Sequence, residues 1–144
     1  MIRRATRDDV PVVARLFRRS FGTLTFLPTL HTPEEDREHF GRILGERELW
    51  VYEQDGEVLG FAGLDEAELT HLYVEPSSHR RGIGTTLLQH AQHQRPNGFW
   101  LWVFQRNEGA RAFYERHGCR LVELTDGSGN EEREPDALYE WRPL

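Results

Sequence analysis

The residues best suited to chemistry lie between positions 71 and 88, where His79, Arg80 and Arg81 run into Gly82, Ile83, Gly84 and Thr85. Ala67 to Val74, before them, are mostly β-friendly and predict a strand. Ile83 onward, with Ile83, Leu87, Leu88 and Ala91 at helical spacing, predicts a helix. A strand feeding a basic, glycine-bearing loop that opens a helix is an anion cradle. Glycine lets the backbone approach a ligand, first-turn N–H groups have no intrahelical acceptor, and the helix dipole adds partial positive charge where Arg80 and Arg81 sit. The same spacing also describes an ordinary strand-to-helix turn. Two nucleotide patterns fail here. A Walker loop needs Lys after its second Gly, yet all 18 Lys-plus-Arg residues are Arg, and a Rossmann fingerprint needs a third small residue where Leu87 stands. A cradle at this place serves another phosphate ligand.

The pattern extends further. Val74-x-Pro76-x-x-His79-Arg80-Arg81-Gly82-Ile83-Gly84, with Asn107-x-x-Ala110-x-x-Phe113-Tyr114-x-x-x-Gly118 downstream, resembles the GNAT acetyltransferase superfamily. The first segment is similar to its pyrophosphate loop and the second to the strand-helix block that follows. His79 stands where the family usually carries Gln or Arg, at a position that acts mainly through its backbone. The resemblance implies acetyl-CoA as acyl donor, with Leu72, Tyr73 and Val74 along the pantetheine arm. It places His79, Arg80, Arg81, Gly82, Ile83, Gly84 and Thr85 at the pyrophosphate. Asn107, Ala110, Phe113 and Tyr114 complete the coenzyme contacts, and homodimers are common among such proteins.

Acetyl transfer from a thioester to an amine needs a neutral amine, a place for the developing oxyanion and a proton for the departing thiolate. Tyr114 resembles the family tyrosine that serves the coenzyme A sulfur as acid. Read alone, it is equally the polar-tipped half of a core pair with Phe113. Strand alternation puts Glu68, Thr70, Leu72 and Val74 on one face, and Leu69, His71 and Tyr73 on the other. Glu68 then matches the glutamate that acts as base in the histone-acetyltransferase branch, and partial desolvation would raise its pKa. His71 titrates near neutrality but is turned away by the same parity. Asn107 reads as a coenzyme contact and as a helix N-cap, which are compatible. Cys119 reads as a small core filler and not an acyl carrier. His90 and His93 have no evident third ligand, so no metal is expected.

The resemblance builds the acceptor pocket from the connector Thr25 to His31 and the loop Asp126 to Glu134. An aromatic wall beside an acidic loop suits a cationic amine with an apolar body, although a solvated hairpin loop accounts for the charges equally well. The leading expectation is an N-acetyltransferase acting on the primary amine of a small molecule. A protein N-terminus or lysine comes second, and a non-catalytic acyl-CoA sensor third.

The elements that must hold these residues follow in chain order. Ile2 to Ala5 predicts a strand. A helix follows with Thr6 or Asp8 as its N-cap, and Pro11 favours Asp8, which leaves the proline in the first turn. Thr32-Pro33-Glu34-Glu35 is a capping box for a second helix. Leu49 to Glu53 and Val58 to Leu64 flank Asp55-Gly56 as a hairpin, and Ala67 to Val74 completes a meander. Phe99 to Phe104 is a nearly continuous apolar run, expected to be buried on both faces beside a parallel neighbour. Glu108 to His117 predicts a helix closed by Gly118. Two strands, Arg120 to Thr125 and Ala137 to Arg142, end the chain. The order β-α-α-β-β-β-α-β-α-β-β predicts one α/β domain over residues 1–144, with a mixed, mostly antiparallel seven-stranded sheet and about four helices, as in the GNAT fold.

Composition sets the remaining bounds. The 144 residues carry 38% hydrophobic residues and a formal net charge of −6, with arginines interspersed among acids, which argues against a nucleic-acid partner. One cysteine permits no internal disulfide. No signal-peptide or membrane-spanning run is evident, so a cytoplasmic protein without a membrane partner is expected. Arg in place of every Lys suggests a bacterial genome of high GC content.

Overall fold

Asp55 and Gly56 both take left-handed φ values, 52° and 79°, so the two strands they join meet in the tight turn the sequence predicts. In the computed structural model, which describes all 144 residues, these are β2 (Glu48–Gln54) and β3 (Glu57–Asp65). Around them run β1 (Ile2–Arg4), α1 (Val10–Phe21), α2 (Pro33–Glu46), β4 (Glu68–Val74), α3 (Ile83–Gln94), β5 (Phe99–Phe104), α4 (Glu108–Arg116), β6 (Arg120–Leu124) and β7 (Asp136–Trp141). The strands form one seven-stranded sheet in the order β1-β2-β3-β4-β5-β7-β6. Only the β4–β5 pair is parallel, so the expected mixed, mostly antiparallel α/β sheet with four helices is what forms. No helix is long and apolar enough to cross a membrane.

Two cores clasp the sheet. On one face Val13, Ala14 and Leu16 of α1 and Phe40 and Ile43 of α2 pack on Leu49, Val51 and Phe61. On the other, Ile83, Leu87, Leu88 and Ala91 of α3 pack with Leu69, Phe99, Leu101, Val103 and Tyr139. The α3 residues are those the helical spacing predicts to be inside. Burying each large apolar side chain contributes about 1.5–3 kcal/mol before entropy is counted.

The entry to α2 follows the sequence closely. Thr32 Oγ accepts the Glu35 N–H at 3.1 Å and Glu35 Oε1 accepts the Thr32 N–H at 2.9 Å, the reciprocal capping box. The entry to α1 corrects the reading. Asp8 is not the cap: Thr6 opens a 3-10 turn, Arg7–Asp9, and Asp9 Oδ2 accepts the Thr6 N–H at 2.7 Å. Asp9 is also clamped by Arg3 at 2.8 Å, which holds its carboxyl down to about 2. Pro11 still falls in the first turn of α1, where its missing N–H has no consequence.

Two strand expectations are overturned, and both bear on the site. In β4, Gly63 pairs with His71 and Leu64 with Leu69, so Thr70 is a bulge residue without an opposite number. A bulge resets the alternation. Leu69 therefore shares the α3 face with Leu72 and Val74, while Glu68 falls on the other side with His71 and Tyr73. Gly63 makes room for it, since a Cβ there would lie 2.7 Å from Thr70 Oγ1. In β5 only alternate residues are buried. Trp100 and Trp102 are 38% and 43% exposed, because α1 and α2 cover the β2–β4 half of the sheet and leave β5 bare on that side.

Candidate active site

β4 and β5 touch only at their starts. Glu68 pairs with Trp100, the Trp100 N–H donates to Ala67 O at 2.9 Å, and beyond that point the strands part. The edge of β4 from Leu72 to Val74 is thus left without a strand partner on its β5 side. A cavity of about 460 Å³ occupies the fork, floored by this edge, capped by the start of α3 and walled by α4 and the end of α1.

The loop after β4 is shaped for an anion. Gly82 has φ +80° and Arg80 φ +68°, left-handed values that only Gly adopts without strain. Thr86 N–H makes the first bond back, to Gly82 O at 3.0 Å, so the amides of Ile83, Gly84 and Thr85 precede the helix ladder. Gly84 is helical, and a Cβ there would meet Phe113 and Val74 at ordinary contact distance. His79 turns its imidazole back onto the strand, donating from Nε2 to Val74 O at 3.2 Å.

Every donor-side residue singled out in the sequence lines this cavity except Arg81. Leu72, Tyr73 and Val74 come from the strand, His79, Arg80, Gly82, Ile83, Gly84 and Thr85 from the loop and helix start, and Asn107, Ala110, Phe113 and Tyr114 from α4. Arg81 swings out of it, donating to Ser78 Oγ and Gln54 Oε1, both at 3.4 Å. Asn107 is the α4 N-cap, its Oδ1 accepting the Ala110 N–H at 3.2 Å. The sequence reading missed Ser20, Thr23 and Leu24. Ser20 Oγ donates to Val74 O at 2.9 Å from 54 residues away, and no local pattern announces it.

Tyr114 is buried but for its opening onto the fork, and its hydroxyl makes no hydrogen bond to the protein. Burial pushes its phenol well above the ordinary range, and the nearby Tyr73 pushes it further. It stays protonated at any physiological pH, available as a donor. Tyr73 is pushed up to about 12, by burial and by the carboxylate of Glu132.

Glu68 stands at the closed end of the fork and lines neither this cavity nor the next. Burial raises its pKa, with Arg47 opposing and Asp65 adding. His71 is enclosed by Phe17, Phe40 and Phe61, its Nδ1 2.9 Å from Thr70 Oγ1, and burial holds it down to about 3 as a neutral ring. Cys119 is buried in the α3 core with its thiol pushed up to about 11, far from the thiolate an acyl carrier needs. The His90 ring packs against Trp50 at 4.3 Å between centroids, with its Nε2 buried and without a hydrogen-bond partner.

A second cavity of about 440 Å³ adjoins the first, sharing Leu24. Phe17 and Phe21 of α1 and Leu27 and Leu30 of the α1–α2 connector wall it, and Glu131 and Glu132 close it from the β6–β7 loop. His31 Nε2 lies 2.8 Å from Glu131 Oε1, tying the two segments together across it.

The matches to known proteins agree with this geometry. Residues 45–119 match the model of the acetyltransferase (GNAT) domain. The chain is 32% identical over 126 residues, 85% of each protein, to the peptidyl-lysine N-acetyltransferase YiaC of Escherichia coli K12. It is 30% identical over 123 residues to the peptidyl-lysine N-acetyltransferase YjaB of Salmonella typhimurium, covering 84% of this chain and 83% of that one. In fold it matches the PaiA N-acetyltransferase of Thermoplasma acidophilum, solved in complex with coenzyme A, with a TM-score of 0.82 at 24% identity over 99% of this chain and 98% of that one. The chain belongs to the GNAT family and is an N-acetyltransferase.

Proposed function

We propose that the protein transfers an acetyl group from acetyl-CoA, held in the fork between β4 and β5, to a primary amine that enters through the second cavity, and that this amine is a protein lysine side chain. The observation that carries the reading is the fork itself: one bridged residue pair, then an unpaired β4 edge with the α3 N-terminus at one end and the Tyr114 hydroxyl on its wall. The donor fits the residues present. The amides of Ile83 to Thr85 and the left-handed Gly82 suit a pyrophosphate, and the bare edge of β4 suits an amide-bearing arm that pairs as a strand would. Bound there, acetyl-CoA supplies an activated acetyl thioester.

The residues divide the remaining work. Tyr114, held protonated by burial, gives the proton that the departing sulfur needs. Glu68, with its raised pKa, is the base. Since it lines neither cavity, the proton it takes travels through water. Cys119 takes no part, and transfer is direct. The lysine reading rests on the apolar walls of the second cavity, which fit a four-carbon stem, and on the names of YiaC and YjaB. One observation favours the small-molecule acceptor instead: the His31 to Glu131 contact closes the cavity as a pocket and not a groove. Thiol release with acetyl-CoA and a panel of lysine peptides and small amines separates them. Mass increase on the lysine of a peptide is expected, and transfer to free amines alone contradicts the lysine reading.

A further inference from the structure

The charged groups of the second cavity do not balance. Arg18 Nη1 donates to Asp36 Oδ2 at 3.0 Å and to His31 O at 2.9 Å, and His31 Nε2 is engaged with Glu131 Oε1 at 2.8 Å. Both cations of the cavity are thereby committed to Asp36 and Glu131. Glu132 is left. It lines the same cavity, is half-buried, and has no cation paired with it; what hydrogen bonding it has is with its neighbour Glu131 and its own backbone. The other loop carboxylate nearby, Glu134, is paired with Arg106 at 2.7 Å, so an unpaired acid is not a general property of this loop.

A carboxylate drawn part-way out of water in a cavity that Phe17, Phe21 and Leu24 also line loses hydration that no cation of the protein replaces. Burial and then the neighbouring Glu131 raise its affinity for a proton, against the lowering influence of His31. The second cavity that Glu132 lines meets the fork at Leu24. An ammonium group supplies what is missing there: a charge partner with three donors on a compact head.

We propose that Glu132 seats the ammonium group of the acceptor, so that the enzyme selects cationic primary amines carried on an apolar stem. The inference rests on the reading of the second cavity as the acceptor site and names the group within it that fixes specificity. A lysine amine, with an ordinary pKa near 10.4, arrives charged at neutral pH. The apolar walls take its stem, Glu132 takes its head, and the amine then lies beside the fork.

The test is steady-state transfer from acetyl-CoA to Nα-acetyl-lysine amide, read as thiol release, for the wild-type protein and for Glu132→Gln, Glu132→Asp and Glu131→Gln. Calorimetric titration with acetyl-CoA checks fold and donor site in each variant. Glu132→Gln is expected to raise KM for the amine by about 10-fold or more with kcat within about 3-fold, the size of one lost charge-assisted contact. Glu132→Asp should restore most of the loss, and Glu131→Gln, whose carboxylate is already engaged, should shift KM less than about 3-fold. An unchanged KM in Glu132→Gln overturns the proposal, as does an equal rise in Glu131→Gln, which would mark a diffuse field and no contact. Should the wild type bind acetyl-CoA yet acetylate neither Nα-acetyl-lysine amide, a diamine nor an arylalkylamine, the seat for ammonium is refuted while the donor site stands. Absence of acetyl-CoA binding would overturn the underlying reading along with it.

Discussion

The two cavities that meet at Leu24 are built by different means. The fork is made of backbone: a bulge, two strands that part after one bridged pair, a left-handed glycine and the first turn of a helix. The second cavity is made of side chains that two loops, about 100 residues apart in sequence, bring face to face, with His31 and Glu131 across the seam. Backbone sites bind what every family member binds, because main-chain amides and a strand edge do not depend on residue identity. Side-chain sites change with each loop, which is where acceptor choice can vary without disturbing the donor.

That contrast predicts separable failures. The largest is expected at Tyr114, which lines the fork and is proposed as the acid there. Tyr114→Phe should lower kcat on the order of 10²-fold, about 3 kcal/mol of barrier, while acetyl-CoA affinity measured by titration stays within about 3-fold. An unchanged kcat would remove the hydroxyl from the mechanism. Glu68→Gln comes next. Because burial raises its carboxyl pKa, the base form is lost as pH falls through that raised value, so the variant should lose the acidic fall of kcat against pH and drop roughly 10-fold on the plateau. A profile superimposable on wild type would assign the base elsewhere.

A smaller effect tests the backbone side of the contrast. Gly82→Ala forces a Cβ into φ +80°, and should weaken acetyl-CoA binding roughly 5-fold, about 1 kcal/mol, with acceptor KM unmoved. If acceptor KM moved as much as donor affinity, the two cavities would not be separate sites. The smallest change is expected at the seam. The His31 to Glu131 pair is exposed on both sides, so His31→Ala should alter acceptor KM by no more than about 3-fold, within the 0–1 kcal/mol of a surface pair. Its sign is fixed: Glu131 raises the His31 pKa, so the pair is formed below that value and released as pH rises through it. Acceptor KM in wild type should therefore drift across that range, and the drift should vanish in His31→Ala.

The same contrast explains what the sequence disclosed. The loop from His79 to Thr85 and the cap at Asn107 are local patterns, each dictated by turn and helix-end chemistry, and they could be placed before any coordinates. Element order and sheet composition were legible for a similar reason: periodicity and turn residues agree along the whole chain. What escaped was non-local. Strand alternation misplaced Glu68 because the Thr70 bulge depends on pairing with β3, where Gly63 leaves the room. Trp100 and Trp102 read as core because β-strand hydrophobicity does not tell which half of a sheet its helices cover. Arg81 carried the right charge beside the right glycine, yet its side chain follows Ser78 and Gln54 away from the fork. Ser20 gave no signal, being defined only by a partner far along the chain, and Glu132 was legible only as one acid of the loop Asp126 to Glu134.

The central claim, that the fork between β4 and β5 is the donor site, is tested most directly by calorimetric titration of the protein with acetyl-CoA, with ADP as the control for adenine and phosphate alone. Saturable binding with Kd on the order of micromolar, clearly tighter than ADP and weakened by Gly82→Ala, is the predicted result. No saturable binding of acetyl-CoA, or binding indifferent to Gly82, would contradict it.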